Sequence, residues 1–230
     1  MDLLDFPGYR GRLAISKLEE AASAGCSPIS QLLLRGKVAY LFERYTDNQE
    51  MNALVVCASS AKQSDVTSVG PVLTRWVEKT QGKSASERQS RKPGLFWALT
   101  MFDKRIQDGL GFTPTQLKEG ADGLMQQTLL ERFGQYDWIQ EWAPGQAFNN
   151  CFLVRKPGMA VPFLNIDGGR EVAVAPQYAD VLQQMATSFA TGKGVAQHFA
   201  DPDAAWMAMM SLNDGGMALL GHALRGGGTS

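Results

Sequence analysis

The sequence predicts an α/β protein, a three-layer parallel sheet with flanking helices followed by a mainly helical C-terminal segment. Two observations carry that prediction. Short, continuous apolar runs alternate with longer segments whose apolar residues recur every three or four positions, and such short runs are how strands covered on both faces read. The resulting order of strand, helix, strand, helix, strand is that of a parallel sheet with its crossovers on its faces. Bulk composition agrees, since 230 residues that are 44% hydrophobic and 20% charged can bury a core.

The first strand is expected at Leu3-Leu4-Asp5, stopped by Phe6-Pro7-Gly8, and a loop rich in Gly, Arg and Ser follows. Leu32, Leu33, Val38, Ala39, Leu41 and Phe42 recur at helical spacing and predict a helix over 30–44. Residues 52–58 form a short apolar run with adjacent β-branched residues, a covered strand. Helical spacing returns over 69–79, the polar stretch 80–92 reads as an exposed loop, and 95–102 is a second covered strand. A helix over 115–133 precedes a third strand at 152–155. Beyond Lys156-Pro157-Gly158 the pattern changes to a turn around 165–170 and then helices, clearest over 178–189 and short and methionine-rich over 204–210. This divides the chain into an α/β domain at 1–158, a helical extension at 159–225 and a flexible tail at 226–230.

Composition also excludes function classes. Twenty-two Lys and Arg against 23 Asp and Glu leave a net charge of -1, so bulk electrostatics gives no reason to expect nucleic acid as a partner. No apolar run approaches the ~18 residues of a membrane helix, and no integral membrane segment is expected. Cys26, Cys57 and Cys151 are widely spaced with no Cys-x-x-Cys, which fits a reducing compartment, and Cys57 and Cys151 fall in covered strands where buried thiols are expected. His198 and His222 lack acidic or thiol neighbours at ligand spacing, so neither predicts a metal site or a catalytic triad. Met207, Met209, Met210 and Met217 read either as core filler or as an adaptable contact surface. Lys83, Arg88, Arg91 and Lys92 make a basic loop with no aromatic stacking partners, read as solvated.

Chemistry in open parallel sheets gathers at the carboxyl ends of strands. Asp5-Phe6-Pro7-Gly8 follows the first strand, where Asp5 suits a magnesium ion through water and the Gly8 amide can approach a phosphate because no Cβ obstructs it. A plain strand-ending turn is the equal alternative for that motif. Thr100-Met101-Phe102-Asp103 follows a later strand, where the Asp103 carboxylate can accept from the N1 and N2 donors of guanine. The alternative there is a solvated charge cluster of Asp103, Lys104 and Arg105.

Asp5-Phe6-Pro7-Gly8 resembles the Asp-x-x-Gly switch motif of P-loop GTPases, in the Asp-x-Pro-Gly form of dynamin-like members, and Thr100-Met101-Phe102-Asp103 resembles their guanine-reading Asn/Thr-Lys-x-Asp motif. Met101 departs from the pattern, standing where those families place a Lys whose stem covers the base. Residues 148–158 then fall where the last nucleotide-contacting loop belongs. Several phrases resemble the SrfC-like bacterial virulence factors, large GTPase-like chains: residues 2–10, 73–82, 93–106 and 148–158. The resemblance implies a partial P-loop NTPase-like fold, GTP and Mg2+ as cofactors of the parent protein, and Asp5, Gly8, Thr100 and Asp103 as the nucleotide-contacting set with Asp5 at the metal. It also implies a bacterial source, with the cytoplasm as the expected compartment and secretion into a host as the other.

A P-loop, Gly-x-x-x-x-Gly-Lys-Ser/Thr, should precede the Asp-x-x-Gly strand, and here the only Gly-Lys-Ser, at Gly82-Lys83-Ser84, has Val77 at the leading Gly and follows a helix. Thr191-Gly192-Lys193-Gly194 has Gly where the hydroxyl residue is needed. The sequence therefore reads as a nucleotide fold entered partway, unable to hydrolyse GTP alone, with the missing part of its own domain, other subunits or a second copy as partners. Two functions follow. One is part of a dynamin-like GTPase, and the other is a non-enzymatic structural or interaction module on a degenerate nucleotide-binding fold.

Overall fold

The computed structural model describes residues 28–48, 51–61 and 69–227, and shows a mixed α/β protein built on a small parallel sheet. Three strands, β1 (Leu54–Ser59), β2 (Leu95–Thr100) and β3 (Cys151–Leu153), lie side by side in sequence order, all parallel. Leu54 faces Leu95 at one end and Ser59 faces Thr100 at the other, while Trp97 and Leu99 pair with Cys151 and Leu153. The strand expected at Leu3-Leu4-Asp5 lies outside the described residues.

Alternation along the strands sorts their side chains onto two faces. Leu95, Trp97, Leu99, Cys151 and Leu153 point into the main core, whereas Phe96, Ala98 and Phe152 point the other way. Five of six β2 residues are buried, and that is why the run Leu-Phe-Trp-Ala-Leu is apolar at every position. The strand is two residues shorter than the expected 95–102. Thr100 ends it, Met101 turns left-handed, and Phe102 opens a helix.

Helices α1 (Pro28–Asp47) and α2 (Gly70–Thr80) flank β1 in sequence, with Leu73, Trp76 and Val77 of α2 in the main core. The stretch 80–92 is not simply an exposed loop. Ser84 caps a short helix, α3 (Ala85–Gln89), by accepting from the Glu87 amide, and Arg88 is buried. Its guanidinium donates to the carbonyls of Gly82, Lys83, Glu141 and Trp142 and lies over the Trp142 ring, so it serves as a tie between two loops and not as a solvated charge.

After β2 come α4 (Phe102–Gly109) and α5 (Pro114–Met125). Thr113 and Gln116 form a capping box with Pro114 in the first turn, which fixes where α5 starts. The helix runs on through a π segment, Gln126–Leu130, into a last turn at Glu131–Phe133. The short α6 (Asp137–Gln140) then leads to β3.

Beyond β3 the chain was expected to turn and become helical, and an antiparallel hairpin intervenes. Strands β4 (Leu164–Asp167) and β5 (Arg170–Val174) are joined by Gly168 and Gly169, both with positive φ as a two-residue primed turn requires. The helices α7 (Ala179–Ala190), α8 (Val195–His198), α9 (Pro202–Met210) and α10 (Met217–Gly227) follow. Leu182, Met185 and Phe189 of α7 and Trp206 and Met209 of α9 join the main core, while Leu220 of α10 packs with Phe96, Ala98 and Phe152 on the opposite face. The sheet thus lies between two layers.

One buried ion pair binds these parts. Arg155, just after β3, meets Glu171 on the hairpin through both carboxylate oxygens, Nη2 lying 2.7 Å from Oε2, with both side chains essentially inaccessible. Arg155 also donates to the carbonyls of Met209 (2.8 Å) and Ser211 (3.0 Å) at the end of α9. Glu171 accepts from the amides of Gly158 (2.9 Å) and Asn213 (2.6 Å), and the Asn213 side chain brackets the Glu171 backbone in return. The Arg155 hydrogen bonds chiefly, outweighing burial, hold the Glu171 carboxyl at about 2 against an ordinary 4.5.

Removing one partner leaves the other charge buried alone, so Arg155→Ala or Glu171→Ala should each cost about 3–5 kcal/mol in urea unfolding. An Arg155→Met, Glu171→Leu double variant should lie much nearer the wild type. Because the folded-state value is depressed, the stability from Glu171 is complete above 4.5 and is lost as pH falls toward 2. Acid unfolding curves of the wild type and Glu171→Gln should therefore converge in that window.

Candidate functional site

The carboxyl ends of the three strands bring together the segments 59–61, 100–103 and 154–158. Backbone bonds bind them edge to edge. Ser60 donates its amide (2.9 Å) and hydroxyl (2.8 Å) to the Thr100 carbonyl, and the Phe102 amide donates to Val154 (3.2 Å). The Thr100 hydroxyl turns back along the sheet to the Ala58 carbonyl at 3.2 Å. Asp103 sits in the first turn of α4, 3% exposed, and its Oδ1 accepts from the Lys156 amide at 3.0 Å. The solvated-cluster reading of Asp103, Lys104 and Arg105 fails on that burial. Thr100 and Asp103 are close in sequence, yet their side chains point to different partners. Asp5 and Gly8 lie outside the described residues, as does Cys26.

Between Thr100 and Asp103 the chain passes through Met101, which adopts φ 58° and is 43% exposed. A non-glycine residue in the left-handed region stores strain, of order 1–3 kcal/mol, and such positions cluster at functional turns. Ser59 Oγ approaches the Met101 sulfur at 3.6 Å.

Beside this turn lies a cavity of about 460 Å³. Phe102 and Ile106 of α4, Leu124 of α5, Met185 and Phe189 of α7 and Trp206 of α9 supply apolar walls. Arg105 lines it too, donating to the carbonyls of Ser60 (3.2 Å) and Gly120 (2.5 Å), and burial lowers its pKa. In the sequence Arg105 stands only as one charge among three, beside Asp103 and Lys104. The signal was there, since Phe102, Arg105, Ile106 and Gly109 share one helix face and three of them are buried.

Other sequence candidates resolve structurally. Gly82-Lys83-Ser84 is closed on α3, with Glu87 accepting from the Lys83 amide and Arg88 holding the Gly82 and Lys83 carbonyls, which leaves no cradle of amides for a phosphate. In Thr191-Gly192-Lys193-Gly194 the Lys193 amide donates to Asp122 at 2.8 Å. Cys151 is buried and its thiol pKa is pushed up, whereas Cys57, also expected to be buried, is exposed. The methionines divide, Met209 being buried while Met207 and Met217 are exposed. His198 is fully buried, with Nδ1 2.6 Å from the Phe148 carbonyl and Nε2 without a partner, and burial lowers its pKa. No group of three or more His, Cys, Asp or Glu suited to a metal occurs among the described residues, and no described helix is long and apolar enough to cross a membrane.

A family model described as "Putative bacterial virulence factor" matches residues 1–226, and the chain belongs to that family. No curated protein and no solved structure matches the chain.

Two outcomes test the local physics. Met101→Gly should hold or raise stability by up to about 1 kcal/mol while Met101→Val lowers it, read from chemical unfolding, because glycine enters the left-handed region freely and a β-branched residue does not. Since the His198 value is depressed in the folded state, the unfolded chain takes up the proton first. Stability should therefore decline as pH falls below the ordinary 6.5. In His198→Asn, which keeps a donor for Phe148 without titrating, that slope should flatten.

Proposed function

We propose that this member of the bacterial virulence factor family is a non-hydrolysing interaction module, built on a degenerate dynamin-like, SrfC-like nucleotide-binding fold. The observation that carries this reading is the use made of Asp103. A carboxylate that reads guanine must present its oxygens to the N1 and N2 donors of the base. Asp103 is instead buried, and it spends Oδ1 on the Lys156 amide, fastening the segment after β3 to α4. The group has become a structural tie in the place where the family motif reads a base.

Ancestry from a P-loop NTPase sheet is supported by three parallel strands in sequence order, with the segments after β2 and β3 joined at their carboxyl ends. Support also comes from the Thr-Met-Phe-Asp turn following β2 and from the stretch 148–158 containing the neighbouring parallel β3, as the resemblance expects of the last two nucleotide-contacting loops. The interaction role draws on exposed apolar side chains, Met207, Leu212 and Met217, at and around the turn between α9 and α10. Other protein subunits or a second copy of the chain are the partners this reading implies, within the bacterial cytoplasm.

A second reading keeps nucleotide binding, with GTP held by Thr100 and Asp103 and Mg2+ and the γ-phosphate by Asp5 and Gly8. Its support is the exposed side chain of Met101, an apolar surface standing where the motif's Lys would cover the base.

Titration of the purified chain with GTP and with ATP, each with Mg2+, should show no saturable uptake in the micromolar range and no phosphate release. Saturable GTP binding, absent with ATP and lost in Asp103→Asn without a change in unfolding midpoint, would reverse the preference. That variant keeps an oxygen acceptor for Lys156 while removing the charge that guanine needs.

A further inference from the structure

We propose that the cavity between α4, α5, α7 and α9 binds an amphiphilic carboxylate, a medium-chain acyl or arylalkyl acid whose head pairs with the Arg105 guanidinium. Its volume of about 460 Å³ lies in the range of small-molecule pockets. Ser59, Ser60 and Ala61 line the cavity at the carboxyl end of β1, where open parallel sheets take their ligands.

The lining dictates the chemistry. Phe102, Ile106, Leu124, Met185, Phe189 and Trp206 offer an apolar body that suits an alkyl or aryl chain, with Gln116, Gln127 and Thr128 as a smaller polar share of the wall. Arg105 is the one cation of that lining among the described residues. Two of its five N–H donors go to the Ser60 and Gly120 carbonyls, and it forms no ion pair among the described residues. Asp108, the one carboxylate of the lining among the described residues, makes no ion pair with it. The contrast with Arg155 is direct, since that guanidinium meets a carboxylate in both donor positions. A half-buried guanidinium with donors to spare favours a planar monoanion that can take two parallel N–H bonds, which a carboxylate does and an alcohol does not.

An independent observation falls in the same wall. The π segment Gln126–Leu130 interrupts the helix that begins with α5 and contributes Gln127 and Thr128 to the lining. One-turn π insertions are rare, misalign a helix's hydrogen bonds, and are found frequently at functional sites.

The test titrates decanoate, below its micellar range, into the wild-type chain by calorimetry, with decanol as the uncharged twin. Decanoate should saturate with unit stoichiometry and micromolar Kd, and decanol should bind at least about tenfold more weakly. Arg105→Gln should erase that preference. Ala121→Leu, which fills the cavity from α5 without touching the guanidinium, should weaken both ligands by about tenfold or more while holding or raising the thermal midpoint. Equal affinity for acid and alcohol, no saturable uptake of decanoate, or unchanged binding in Ala121→Leu each overturns the proposal. Should Arg105→Gln fail to fold, the acid–alcohol comparison and Ala121→Leu still decide the matter. GTP titration is independent of every arm, so this site and the role of Asp103 stand or fall separately.

Discussion

The contact between Arg155 and Glu171 is the constraint on which the rest of the architecture depends. Two charges out of water are tolerable only when every donor and acceptor is met, and here the partners come from the end of β3, the hairpin, the end of α9 and the turn at Asn213. The same Arg155 donates its backbone amide to Gly215, whose successor Gly216 starts the chain into α10. A Cβ on Gly216 would lie 2.2 Å from the Leu153 carbonyl oxygen, so only glycine lets the chain pass that close to β3. Charge pairing and close backbone approach together set where α10 crosses the second face of the sheet.

Three arginines show three ways of withdrawing a cation from water, Arg88 and Arg155 fully and Arg105 in part. Arg88 is met by four carbonyls and an indole face, which spreads its charge over many partial dipoles. Arg155 is neutralised outright by a carboxylate. Arg105 has two carbonyls and an open volume beside it. The first two sites are complete as they stand, and their roles are architectural. The third differs in kind, and the difference lies in the surroundings, because the side chain is the same in all three.

This also explains what could be read from the sequence. The strands were legible because burial on both faces forces an unbroken apolar run, as in Leu95 to Leu99, and the long helices because one buried face forces a period, as in Leu73, Trp76 and Val77. Short-range chemistry was legible in part, as where Pro114 and Gln116 mark the start of α5. What stayed hidden depends on partners far along the chain. Arg88 looked solvated because the carbonyls of Glu141 and Trp142 lie 53 and 54 positions away. Arg155 and Glu171 are 16 apart, with the helix-end carbonyls more distant still. Asp103 was picked out correctly as a strand-end carboxylate, but its bond to Lys156 needs β3 beside β2. Cys57 lay in a strand as expected, and its exposure reflects the face it occupies, which period 2 decides only once neighbours are known.

The placement of α10 carries a further consequence for synthesis on the ribosome. The sheet's second face, with Phe96, Ala98 and Phe152, is complete once β3 has emerged, while the helix that packs on it starts only at Met217. Synthesis proceeds at roughly 5–20 residues per second. The nascent chain therefore presents that aromatic face for several seconds before its cover exists. The order of the elements thus leaves this face without α10 for that interval of synthesis.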